Sequence, residues 1–144
     1  MKVNLIPVLE RILLTLWVGS LWVVGFIVAP VLFTELNDRA VAGSVAGVLF
    51  TVTSYIGLAS GSVLLLLNAV VRKRINWRAL VLLGMLSLIL VGQFVITPMV
   101  VDLRLQGLTD TPRFGQLHGV ASVLFLLTSL LGLVLVAAGR YRQD

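Results

Sequence analysis

ILLTLWVGSLWVVGFIVAPVLF, residues 12–33, runs for 22 positions without a charged side chain. A helix rises about 1.5 Å per residue, so this run can cross the roughly 30 Å of hydrocarbon in a bilayer. Three more uncharged runs follow: Ala40 to Val71, Ala79 to Val101 and Phe114 to Gly139. The second and fourth exceed a minimal span, which predicts tilt or extension into the interface. Charged stops divide them at Glu35 to Arg39, Arg72-Lys73-Arg74, Asp102 to Arg113 and Arg140. The pattern predicts an all-α bundle of four transmembrane helices forming one domain, residues 1–144. A signal peptide would carry about 7–15 apolar residues and then a small-residue cleavage site. The first run is longer, and Pro30-Val31-Leu32-Phe33 offers no such site, so this helix is expected to stay in the mature protein.

Composition points the same way. Apolar residues make up 59% of the chain and charged residues 12%, too few charges to cover a soluble domain. The net charge of +5 concentrates near the termini and between residues 72 and 78. No aromatic residues interleave with a basic face, which excludes a nucleic-acid partner from the reading. Cysteine is absent, and disulfides, thiolate metal sites and cysteine nucleophiles go with it. No carboxylate lies inside an uncharged run, no serine has a histidine at a readable spacing, and no metal-ligand cluster appears. The expectation is therefore no enzyme, no catalytic residue, no cofactor and no bound metal.

Lysine and arginine counts set the predicted orientation. One side would carry Lys2, Arg11, Arg72, Lys73, Arg74, Arg78, Arg140 and Arg142, and the other Arg39, Arg104 and Arg113. The excess places both termini in the cytoplasm. Arg72-Lys73-Arg74 with Arg78 could also attract anionic headgroups.

The chain echoes itself. VLFTVTSYIGL (residues 48–58) returns as VLFLLTSLLGL (residues 123–133), an offset of 75. Upstream, Phe26-x-x-x-Pro30 returns as Phe94-x-x-x-Pro98 at an offset of 68. Each half, about residues 8–71 and 76–139, is then a helical hairpin. Both halves start on the same side, so the repeat is parallel, about an axis along the membrane normal. Lipid gives helices no hydrophobic drive to associate, and small residues replace it with close packing. Gly43-x-x-x-Gly47, Gly57-x-x-x-Gly61, Gly115-x-x-x-Gly119 and Gly132 are the candidate packing positions. They suggest helices two and four back to back, flanked by one and three.

Proline lacks an amide hydrogen, so Pro30 and Pro98 would break their helices and free the carbonyls of Phe26 and Phe94. Freed carbonyls in a membrane need partners. Depth read from the loops gathers Gln93, Thr97, Gln116 and His118 beside them as a candidate polar site. His118, the only histidine, is expected to face the bundle and bond the carbonyl freed by Pro98 or the Gln93 amide. Haem or copper ligation by His118 is a further reading, with Met85, Met99 or another subunit's His118 as second ligand.

LWVGSLWVVGFIVAPVLF, Ala42-Gly43, Leu49-Phe50 and FGQLHGVASVLFLLTSLLGL resemble the small bacterial membrane proteins related to transmembrane protein 205. The resemblance runs from about Leu13 to Leu135, marked by Gly19, Pro30, Phe33, Gly43, Phe50, His118 and Gly119. It implies a bacterial inner-membrane protein of a family without assigned function. A more distant similarity is to the membrane part of copper-resistance proteins. The first functional expectation is a non-enzymatic membrane protein that associates through its helices with itself or a membrane partner, with the lipid bilayer as its surroundings. The alternatives are a small permease or efflux component using the polar site, and a haem- or copper-binding module.

Overall fold

The computed structural model describes residues 5–72 and 76–138. The basic residues Lys2, Lys73, Arg74, Arg140 and Arg142 of the orientation count lie outside them, as does Gly139. Four long helices account for nearly all of the described chain: α1 (Leu5–Glu35), α2 (Arg39–Val71), α3 (Trp77–Leu105) and α4 (Pro112–Ala137). Each is long and apolar enough to cross a bilayer, and only 22–28% of each one's most apolar stretch is buried in the bundle. The remaining apolar surface needs lipid around it. The chain is an integral, multi-pass membrane protein.

Local chemistry starts each helix after the first. Asp38 Oδ1 accepts from the amides of Ala40 at 2.7 Å and Val41 at 3.2 Å, capping α2. The Asn76 side chain accepts from the Ala79 amide at 3.0 Å and caps α3. Thr111 caps α4 through the Phe114 amide at 3.3 Å, with Pro112 in the first turn where its missing amide costs nothing. Between α3 and α4 the chain turns at Gly107, whose φ of 72° favours a residue without a Cβ.

The core repeats the internal echo. On α1 the buried side chains are Leu14, Trp17, Val18 and Leu21, one face of a helix by their spacing. On α3 they include Leu82, Met85, Leu86 and Ile89, each 68 positions later. Helix α2 buries Thr53, Gly57 and Ser60, and α4 buries Thr128, Gly132 and Leu135, each 75 positions later. Even the hydroxyl bonds recur. Thr53 and Ser54 donate to the carbonyls of Leu49 and Phe50, as Thr128 and Ser129 donate to those of Leu124 and Phe125.

The arrangement of helices corrects the sequence expectation. Helix α2 packs against α1 and α3, and α4 also packs against α1 and α3. Thus α2 and α4 stand at opposite corners rather than back to back. The wholly buried side chains of Trp17 and Met85 occupy the space between them. Across that diagonal Phe50 meets Phe125 edge to face, with ring centroids 5.0 Å apart.

Candidate functional site

We call the end of the bundle with the α1–α2 and α3–α4 links the loop end, and the opposite end the terminal end. Near the loop end both proline-bearing helices contain a wide turn, Val24–Val28 in α1 and Gly92–Ile96 in α3. The Ala29 amide reaches the Val24 carbonyl, and the Thr97 amide reaches the Gly92 carbonyl, five residues back in each case. One extra residue in the turn moves the backbone that Pro30 and Pro98 would otherwise strike. The helices therefore run through Phe26, Pro30, Phe94 and Pro98 instead of breaking there. The rings of Phe26 and Phe94 are exposed toward lipid, and Phe26 stacks on Trp22 at 4.5 Å.

The four residues of the expected polar layer divide into two groups. Gln93 is half-buried, and its Nε2 lies 3.5 Å from Thr51 Oγ1 on α2. Thr97 Oγ1 donates to the Gly92 carbonyl at 2.9 Å, so the hydroxyl serves the wide turn itself. Gln116 and His118 are exposed on α4. The His118 ring lies parallel to Phe114 with centroids 6.1 Å apart and makes no hydrogen bond among the described residues. It does not face the bundle, and neither the carbonyl of Phe94 nor Gln93 is its partner. Depth along a helix is readable from the loops, but rotation about its axis is set by the buried face. On α4 that face is Thr128, Ser129, Gly132 and Leu135.

Three glycine pairs have three different surroundings. A Cβ at Gly57 would stand 2.5 Å from Trp17 Nε1 and 2.8 Å from Ile89 Cδ1. At Gly61 it would meet Leu86 at 2.7 Å and the Trp17 ring at 3.0 Å. These glycines seat the buried indole, whose Nε1 has no hydrogen-bond partner among the described residues. Gly132 takes the matching place on α4, 3.0 Å from Val18 and 3.3 Å from Met85. Gly43 and Gly47 receive not a helix backbone but the Arg104 guanidinium, at 3.3 Å and 3.5 Å. A Cβ at Gly115 or Gly119 would meet no neighbouring helix within 4 Å among the described residues.

At the terminal end, Asn68 and Asn76 exchange side-chain amide bonds at 3.3 and 3.4 Å. Beside them Glu10 and Arg78 line a void of about 20 Å³ with Asn68 and four leucines, room for about one water. Arg78 Nη1 donates to the Ala138 carbonyl at 3.3 Å and so ties α3 to the end of α4. Glu10 and Arg78 are 68 positions apart, which the echo could have revealed had it been extended to the charged residues. No group of three His, Cys, Asp or Glu side chains that could hold a metal occurs among the described residues.

A sequence family described as a domain of unknown function (DUF4149) matches residues 12–109. The chain belongs to the DUF4149 family. The match takes in most of α1 and all of α2 and α3, and thus both wide turns with Pro30 and Pro98. No curated protein and no solved structure matches the chain.

Proposed function

We propose that this DUF4149 protein is non-enzymatic and works by helix-mediated association, with the loop-end half of α4 as its contact surface. The observation that carries this is an exposed polar strip on the loop-end half of a helix whose other polar groups are Arg113 at its start and the buried Thr128 and Ser129. At about 3.6 residues per turn, Gly115, Gly119 and Ser122 fall along one line of α4, flanked by Gln116 and His118. Gly115 and Gly119 are open, and Gln116, His118 and Ser122 are exposed. Hydrocarbon offers no hydrogen-bond partner to an amide or an imidazole, whereas a second helix offers both partners and a flat approach. The occupant on this reading is a second copy or another membrane protein. The resemblance to relatives of transmembrane protein 205 belongs to the same proposal, since its Leu-His-Gly segment lies beyond the family match.

The same reading places the chain in a bacterial inner membrane with both termini cytoplasmic, supported by the basic asymmetry. Reporter fusions after Asp144 and within residues 105–109 are expected to report opposite compartments. For association, cysteines introduced at Gly115 and Ser122 in separate single variants should cross-link copies in native membranes. Gly119→Leu should abolish the cross-link while leaving the melting temperature unchanged. Monomers throughout, with no co-purified membrane protein, would end the association reading.

A further inference from the structure

The loop end also holds the larger cavity, and its position follows from where the two halves cease to match. In the first half three residues join α1 to α2, while in the second six residues join α3 to α4. Helix α3 also runs two residues beyond the position matching the end of α1, and α4 starts two residues early. This added chain lines a cleft of about 270 Å³. Its apolar wall includes Met99, Leu103 and Leu117; its polar members are Asp102, Gln106, Thr111 and Arg113.

Two of those groups carry opposite charge and do not pair with each other. Asp102 Oδ2 accepts from Gln106 Nε2 at 2.8 Å and has a second carboxylate oxygen to offer. Arg113 makes no hydrogen bond or ion pair among the described residues. Thr111 is committed to the Leu108 carbonyl and the Phe114 amide. A cleft with an uncommitted guanidinium, a half-committed carboxylate and an apolar wall suits a compact zwitterion. The cleft sits where the uncharged stretches of α3 and α4 end, at headgroup depth. Its volume equals that of about nine waters.

We propose that this cleft binds the phosphoethanolamine group, with Arg113 on the phosphate and Asp102 on the primary ammonium. Guanidinium matches phosphate oxygens with paired N–H donors. The ammonium supplies three N–H donors to the carboxylate, which a quaternary amine lacks. The glycerol end of a lipid then lies along Met99, Leu103 and Leu117. The site is independent of the α4 strip, because Arg113 precedes it and binding can be read on the monomer.

The test is lipid binding to the purified full chain in detergent, read by native mass spectrometry. Phosphatidylethanolamine, phosphatidylcholine and phosphatidylglycerol of the same acyl chains are titrated in turn. Phosphatidylethanolamine is expected to bind about tenfold more tightly than either, which corresponds to about 1.4 kcal/mol. Asp102→Asn should remove its advantage over phosphatidylcholine, and Arg113→Gln should weaken all three about tenfold. Soluble O-phosphoethanolamine separates the sources. If it competes at the lipid's own affinity the free zwitterion is the ligand, and if it needs tenfold more or higher the headgroup is. Both side chains are exposed, and the selectivity of the unaltered protein tests the site without any variant. Equal affinity for the three lipids, or a preference that survives Asp102→Asn, would overturn the proposal.

Discussion

The two hairpins bury the same positions but fill them differently. Trp17 in α1 and Met85 in α3 are both wholly buried, 68 positions apart, and each rests against a glycine of the repeated α2 and α4 segment. A rigid indole needs a fixed seat, whereas a thioether chain with several rotatable bonds adapts to what it meets. Nearer the loop end, Gly25 would bring a Cβ onto the Phe125 ring, while its counterpart Gln93 reaches Thr51. Thr51 in turn stands where the second copy of the echo has Leu126. Where α1 meets α4 the contact is an aromatic ring, and where α3 meets α2 it is a polar pair. Shared positions preserve the frame, and the side chains exchanged at them decide how much each joint tolerates.

The sharpest way to break that comparison is at the paired glycines. Gly57→Ala drives a methyl into Trp17 Nε1 and Ile89 Cδ1 and should destabilise by about 1–3 kcal/mol. Gly132→Ala meets Val18 at 3.0 Å and Met85 at 3.3 Å, contacts that a shift of a few tenths of an ångström relieves, so the loss should be under about 1 kcal/mol. Thermal melts in mild detergent measure both. Equal losses would show that the indole is no more rigidly held than the thioether.

The caps give a smaller contrast. Asp38 places one oxygen on two amides, the shorter at 2.7 Å, while Thr111 holds one amide at 3.3 Å. Asp38→Ala should cost about 1–2 kcal/mol and Thr111→Ala about 0.5–1 kcal/mol. Hydrogen exchange of the first-turn amides of α2 and α4 would register the difference. A reversed order would mean that Pro112 does not hold the first turn of α4 in place.

Smallest of all should be the change that makes one wide turn like the other. Thr97→Ala gives α3 the residue that α1 has at Ala29 and removes the hydroxyl bond to the Gly92 carbonyl. The main-chain bond to that carbonyl remains. Even a side-chain hydrogen bond between membrane helices averages only about 0.6 kcal/mol, and this one lies within a helix, so the melting temperature should barely move. A loss several times larger would show that the α3 turn depends on its side chain and the α1 turn does not.

The four spans and the echo were legible because charge and sequence register are properties of the chain itself. The outward turn of His118 was not, since the rotation of α4 depends on which residues its neighbours bury. Nor was the wide turn before each proline. The sequence shows the missing amide at Pro30 and Pro98, but not whether the helix stops or widens to accommodate it. Gly43 and Gly47 show a third limit. Their spacing announces close approach, yet the approaching group is the guanidinium of Arg104, 57 positions from Gly47.

The meeting of Phe50 and Phe125 carries a consequence for how such a bundle can be built. The two residues hold corresponding places, 75 positions apart, and a position can touch its own counterpart only at the rotation axis relating the two copies. In a closed dimer of identical subunits that is the mark of an isologous interface. Here both sides of the interface are covalently joined. A single hairpin would have to find a second molecule to complete the packing around Trp17 or Met85; this chain carries that partner within itself, covalently joined, at an effective concentration no dilution can lower.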